Sequence, residues 1–182
     1  MTSDARRALL RLARASLEAH FAGAPPPVPE EIGPLTQCRG AFVSLHAGTE
    51  LRGCIGQVSP GRPLGEVVTH LAVAAAREDP RFPHVTRQEL PRLQLEISVL
   101  SEPVRMAPVD PGRVLVGRDG LIVRRGQALG VLLPQVAREN GWTAEAFLQA
   151  TCRKAGLEPD AWRELEAEVL VFQADVFGED ER

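Results

Sequence analysis

Apolar side chains recur near the N-terminus at Leu9, Leu10, Leu12, Ala13, Leu17 and Phe21. This near-helical spacing predicts an amphipathic helix over residues 4–21, with Ser3 or Asp4 as its cap. The pattern then breaks. GAPPPVPEEIGP, residues 23–34, is a proline-rich connector that favours extended backbone. GAFVSLHAGTELRGCIG, residues 40–56, carries two β-rich runs around AGTE, whose glycine suits a turn, and predicts a β-hairpin. In RPLGEVVTHLAVAAARED, the residues Leu64, Val67, Val68, Leu71 and Ala75 share one helical face, with Pro63 near the first turn. That helix must end near Asp79, because Pro80 lacks an amide hydrogen and restricts the residue before it.

DPRFPHV, residues 79–85, is an irregular segment with two prolines. Downstream, Leu95, Ile97 and Val99 alternate with Glu96 and Ser98, which predicts a strand across residues 94–103. VLVGRDGLIVRRGQALGVLLP, residues 114–134, reads as short strands joined by turns at RDG and RGQALG. Pro134 opens a helix that Gly141 can close, and Thr143 caps a second one that runs to Lys154 and ends at Gly156. AEVLVFQADVF, residues 167–177, is a final strand. Strands follow strands, with helices set between the groups. This predicts an α+β fold with the last strand returning to a sheet begun earlier, rather than a βαβ parallel sheet.

Composition changes this picture little. The 182 residues are 44% hydrophobic and 25% charged, enough for a domain that buries a core without disulfides or metals. No apolar run approaches the roughly 18 residues of a membrane helix. The N-terminal stretch lacks an uninterrupted apolar core and a small-residue cleavage site, so it reads as a helix, and the cytoplasm is the expected location. A net charge of −3 disfavours nucleic-acid binding. Three cysteines, Cys38, Cys54 and Cys152, do not suggest a disulfide framework. Without CxxC or HxxxH spacing, no structural zinc site is expected.

The chemistry concentrates at LRGCIG, residues 51–56, a thiol between glycines just after an arginine. A thiolate is the reactive form of cysteine, and a neighbouring arginine lowers a thiol's pKa. Gly53 and Gly56 leave room for a ligand beside the Cys54 sulfur. The alternative is a buried cysteine packed under the sheet, with the glycines serving a bulge. Plain hairpin pairing sets His46 opposite Leu51, Leu45 opposite Arg52 and Val43 opposite Cys54. Cys54 then shares a face with Arg52, Val43 and Leu45, while His46 lies on the other; a one-residue bulge at either glycine would reverse this. Asp79, Arg81 and His84 would line one pocket with Cys54 if their segment folds back over LRGCIG. Otherwise Asp79 orders the turn, Arg81 pairs with a surface carboxylate, and Phe82 anchors the loop in the core. His70 is expected to be partly buried at the edge of its helix, and Cys38 and Cys152 to be structural.

LRGCIG, AAAREDPRFPHVT, LEISVLSEP, VGRDGLIV, LLPQVARENGW and CRKAGL follow one another in this order. Together they strongly resemble the AMMECR domain family, the AMME-syndrome candidate-gene proteins, called AmmeMemoRadiSam system protein A in bacteria and archaea. The resemblance covers roughly residues 35–177, with a compatible helix before it, and the expectation is one AMMECR domain over residues 1–182, with an N-terminal helix (1–22), a Pro-rich connector (23–34) and a motif-bearing body (35–177). It implies an α+β fold whose antiparallel sheet packs with helices, a larger lobe holding both termini, and a smaller lobe. It implies Memo-like and radical-SAM proteins as partners, and RGCIG as the functional site, here Arg52, Gly53, Cys54, Ile55 and Gly56. DPRFPH departs from the family's usual DPRFPP at His84. The resemblance names no reaction and no cofactor. The expectation is a component of a Memo/radical-SAM-associated modification system, with a cleft that takes a small molecule or peptide. Cys54 is its candidate catalytic residue, and Arg52, Gly53, Gly56, Asp79, Arg81 and His84 are its candidate binding residues. The alternatives are a cysteine-dependent enzyme with Cys54 as nucleophile, and a nucleic-acid-associated regulator.

Overall fold

The computed structural model describes residues 1–58 and 61–179. The chain divides into two compact units, Met1–Leu100 with Asp175–Arg182, and Ser101–Ala174. The larger unit holds both termini, and antiparallel pairing builds the sheet in each unit, an α+β arrangement. Among the described residues no helix is long and apolar enough to cross a membrane.

In the first unit, α1 spans Ser3–Ala22. Its cap is Thr2, one residue before the expected Ser3, and the Thr2 side chain accepts a hydrogen bond from the Ala5 amide. Gly23 ends the helix in the left-handed region at φ 67°, where a side chain would be strained. Strands β1 (Ala41–Ala47) and β2 (Glu50–Gln57) form the expected hairpin. Helix α2 covers Leu64–Arg77 and stops before Pro80, as the proline requires. Strand β3 runs over Leu93–Leu100 and pairs with β1. It ends short of residue 103 because Pro103 cannot donate to a ladder. The order is β2-β1-β3, with β2 at the edge. Val43, Leu45, Leu95, Ile97 and Val99 point from one sheet face into a core shared with Val67, Val68 and Leu71 of α2 and Leu9 and Leu17 of α1. His70 is exposed, not partly buried. It lies one turn after the exposed Glu66 and two turns before the exposed Arg77, on the side of α2 away from this stripe.

The second unit contains β4 (Val104–Arg105), β5 (Asp119–Arg125), β6 (Ala128–Leu132), α3 (Pro134–Glu139), α4 (Ala144–Lys154) and most of β7 (Glu168–Gly178). Strand β5 pairs with β6 and β7, and β4 pairs with β7. Thr143 caps α4 as expected, accepting from the Ala146 amide at 3.2 Å. The apolar run Val114-Leu115-Val116 is not a strand. Buried Asp119 accepts from the Leu115 amide at 2.9 Å and from Arg118 Nε at 2.8 Å, which ties the run into a turn before β5 begins. Cys152 is buried among Phe147, Leu148 and Trp162, and burial pushes its thiol pKa up. Cys38, expected to be structural, is exposed.

Candidate functional site

The hairpin does not pair by plain alternation. Its register runs Phe42↔Gly56, Val43↔Ile55, Ser44↔Cys54 and Leu45↔Gly53, and then shifts so that His46 faces Leu51. Arg52 is the additional residue, a β-bulge one position before the glycine. Cys54 therefore stands opposite Ser44, not Val43, on the face that also carries Phe42, Ser44 and His46; the expected separation of His46 from Cys54 is corrected.

Two packing demands explain the shift. Plain pairing would aim Arg52 into the core beside Leu45, which is fully buried, and burying an unpaired guanidinium is costly. Second, the position facing α2 has no room for a side chain. A Cβ on Gly53 would lie 1.9 Å from the Ala75 carbonyl oxygen of α2. With the bulge, Gly53 takes that position and Arg52 leaves the core to reach Glu89, its Nε donating to Oε1 at 2.9 Å. The expected pairing of Arg52 with the thiol is replaced by this ion pair. Glu89 is itself set by Thr86, whose amide and hydroxyl donate to Oε2 at 2.8 and 2.9 Å. These bonds, that of the Thr86 amide foremost, and Arg52 hold the Glu89 carboxyl below its ordinary pKa.

On the sheet face opposite α2, Ser44 Oγ donates to the Cys54 sulfur at 3.2 Å. The Phe42 ring covers Gly56 so closely that a Cβ there would come within 2.1 Å of it. Strand β3 sets Gln94 beside His46, Glu96 beside Ser44 and Ser98 beside Phe42. Thiol, hydroxyl and carboxylate thus stand in one row across three strands, Cys54–Ser44–Glu96. Among the described residues no three His, Cys, Asp or Glu side chains converge on a metal position.

The DPRFPH segment does fold back to LRGCIG, chiefly to its main chain, with the Arg81 guanidinium also interacting with the Cys54 side chain. Asp79 is 5% exposed. Its carboxylate accepts from the Cys54 amide at 2.8 Å and from Arg81 through the amide at 3.1 Å, Nε at 2.9 Å and Nη2 at 2.7 Å. Arg81 Nη2 also donates to the Cys54 carbonyl at 3.2 Å. The free edge of β2 would otherwise leave these two backbone groups without partners; Asp79 and Arg81 satisfy both, as a neighbouring strand would. The Arg81 hydrogen bond is the main cause of a low Asp79 pKa, about 2; burial opposes it and the Cys54 amide reinforces it. The same contact raises the Arg81 guanidinium. The segment's core anchor is Val85, 1% exposed and bonded through its amide to the Ala76 carbonyl at 2.9 Å. Phe82, the expected anchor, is half-buried, with the Arg81 guanidinium 5.3 Å from its ring centre. His84 is exposed.

The structure thus brings Asp79 and Arg81 to Cys54, sends Arg52 to Glu89, and leaves His84 at the surface. Sequence reasoning missed Phe42, Ser44 and Glu89. Thr86-x-x-Glu89 has the spacing by which a threonine and a glutamate close on each other, so Glu89 had a readable signal. Ser44 had none, because its pairing with Cys54 depends on the bulge.

The AMMECR1 family model matches residues 10–177. A protein of Methanothermobacter thermautotrophicus is 44% identical over 189 residues, covering 99% of this chain and 97% of the relative. Protein PH0010 of Pyrococcus horikoshii is 42% identical over 182 residues, covering 94% of this chain and 88% of the relative. The crystal structure of that uncharacterized protein aligns with a TM-score of 0.88 at 40% identity, over 94% of this chain and 90% of that one. Matched by the family model over nearly its whole length, and by relatives well above 30% identity, this chain belongs to the AMMECR1 family.

Proposed function

We propose that this protein is a recognition component of a modification system, and that the hairpin face around Cys54, with the Asp79–His84 segment at its edge, receives a partner. The observation that carries this reading is the fate of the groups around the thiol. Arg52 is committed to Glu89, Asp79 to Arg81 and the Cys54 amide, and the sulfur's hydrogen-bond partner is the Ser44 hydroxyl. A nucleophilic thiol needs an adjacent base as well as a cation; the Arg81 guanidinium reaches the Cys54 side chain but is paired with Asp79, and no free base stands beside the sulfur among these groups. A half-buried surface whose charged side chains are already paired suits binding more than turnover. The resemblance to AmmeMemoRadiSam proteins supports a Memo-like and a radical-SAM protein as the partners. The acidic net charge of −3 supports a protein rather than a nucleic-acid partner.

Two experiments test this. In a Cys38→Ser background, which removes the exposed competing thiol, iodoacetamide is expected to label Cys54 more slowly at neutral pH than it labels free cysteine. Arg52→Gln is expected to leave that rate unchanged. Rapid labelling that Arg52→Gln slows would replace recognition with cysteine catalysis. The purified protein is also expected to co-elute with a Memo-like or radical-SAM protein of the same genome, and to lose co-elution on His84→Glu, a change at an exposed position. Failure of the unmodified protein to co-elute with either would reject the partner assignment.

A further inference from the structure

Strand β6 ends its sheet: it pairs with β5 and, among the described residues, with no other strand. The turn Gly126-Gln127 closes the β5–β6 hairpin on the pair Arg125↔Ala128. In a two-residue hairpin the closing pair is hydrogen-bonded, and bonded pairs alternate with non-bonded ones along an antiparallel ladder. Val123↔Gly130 and Leu121↔Leu132 are therefore bonded pairs, and Leu129 and Val131 turn their N–H and C=O groups outward. No backbone group elsewhere among the described residues bonds to them. Proteins blunt such an edge with a lysine, a proline, a bulge or a covering segment. The edge of β2 has a cover in Asp79 and Arg81. Strand β6 has none of these devices: ALGVL carries no charge and no proline, and its register with β5 is unbroken.

The side chains select the partner. Gly130 faces α4 so closely that a Cβ would lie 2.3 Å from the Thr151 carbonyl oxygen. Leu129 and Val131 therefore lie on the opposite face of the strand. On that face Val131, Ile122 and Leu170 stand side by side, an apolar row across β6, β5 and β7 that stops at the edge. Leu129, on the same face, is 54% exposed. The charges next to this edge are already paired, Arg124 with Glu168 and Arg125 with Glu164. A charged peptide would find no counter-charge here. An uncharged strand with apolar residues two positions apart fits, and β6 is itself such a strand.

We propose that β6 pairs antiparallel with β6 of a second copy of this chain, the two strands centred on Gly130. Leu129 of each copy stands opposite Val131 of the other, and the two exchange N–H···O=C bonds in both directions. Leu129 also extends the row Val131–Ile122–Leu170 of the other copy by one strand, which covers its exposed side chain. Two identical strands paired about a two-fold axis close the assembly at a dimer. A pair of five-residue strands is a small interface, below the roughly 1,200 Å² of a stable complex. The dimer is therefore weak, with a dissociation constant on the order of 100 µM. This inference does not rest on the reading of the Cys54 face.

Sedimentation velocity of the full chain from about 10 µM to about 1 mM is expected to show monomer passing to dimer. Leu129→Lys puts a charge into the shared row and is expected to weaken the dimer about tenfold or more. Leu129→Pro removes the outward N–H and leaves the bonds to β5 in place, and is expected to act in the same direction. Position 129 is exposed, so the fold survives either change. Leu165→Lys alters a fully exposed leucine outside β6 and is expected to leave the dimer unchanged. Amide exchange followed by NMR reads the unmodified protein directly. The Leu129 and Val131 amides are expected to exchange more slowly as concentration rises, while those of Gly130 and Leu132 are protected throughout. The proposal is overturned if the protein stays monomeric to about 1 mM, or if the Leu129 and Val131 amides exchange equally fast at both ends of the range. It is also overturned if both Leu129 variants dimerise as tightly as the unmodified protein, or if Leu165→Lys is the change that disrupts the dimer.

Discussion

Gly53→Ala is expected to destabilise the first unit by about 3 kcal/mol or more, the upper range for overpacking a close-packed interior. The new methyl carbon would sit 1.9 Å from the Ala75 carbonyl oxygen and 3.0 Å from its carbonyl carbon. Both are backbone atoms in the last turn of α2, so no rotamer change relieves the clash. Either the helix or the hairpin has to move, and each movement opens the core formed by Val43, Leu45, Val68 and Leu71. Against a total stability of about 5–15 kcal/mol for a typical domain, this is a large fraction. Urea denaturation of the variant measures it. Gly61→Ala is the control, because nothing lies within 4 Å of a Cβ there, and it is expected to change stability by less than about 0.5 kcal/mol. A Gly53→Ala midpoint equal to that of the control would show that α2 does not approach the hairpin as described.

Asp79→Asn is expected to cost about 3 kcal/mol at neutral pH, the lower end for breaking a buried ion pair. The low end applies because the Arg81 side chain is 58% exposed and can recover hydration. The carboxylate is different. Its side chain is 2% exposed and receives four hydrogen bonds, and an amide in its place turns an N–H₂ group toward some of the same donors. The pH dependence provides a second signature. The folded pKa of Asp79, about 2, lies below its ordinary 3.8, so folding favours the ionised form. Its contribution is therefore fully present above pH 3.8 and is lost as pH falls through about 2. A shift of this size corresponds to roughly 2 kcal/mol. Urea denaturation of both proteins between pH 6 and 2 is expected to show their stability difference narrowing below pH 3.8. Glu89 and Asp119, also held below their ordinary pKa, titrate in both proteins and leave the comparison intact. A difference that stays constant to pH 2 would remove Asp79 as the acid-sensitive group.

The local elements were largely readable before the structure. Helical spacing of leucines, the stop imposed by Pro80, the cap at Thr143 and the alternation of Leu95, Ile97 and Val99 each depend on residues within a few positions of one another. Such signals survive without knowledge of the partner surface. Where they failed, a distant or buried group intervened. Val114-Leu115-Val116 has strand character, yet the carboxylate of Asp119 draws it into a turn. Phe82 is the larger apolar residue of its segment, yet Val85 takes the core position through its bond to Ala76.

The site divides the same way. Composition and spacing were enough to single out LRGCIG and DPRFPH as candidate stretches, with their meeting left as one of two alternatives, and the order of the motifs pointed to the family. Which side of the sheet the thiol occupies was beyond any local reading. It depends on a single extra residue in a strand, and a shift of one residue exchanges the two faces. That residue is Arg52, excluded from the core because an arginine cannot be buried beside Leu45 and because α2 leaves only a glycine's space at the next position. The arrangement of Cys54, Ser44, Asp79 and Glu89 follows from contact between a hairpin and a helix at Gly53 and Ala75, positions well separated in the sequence, a constraint that exists once the chain has packed.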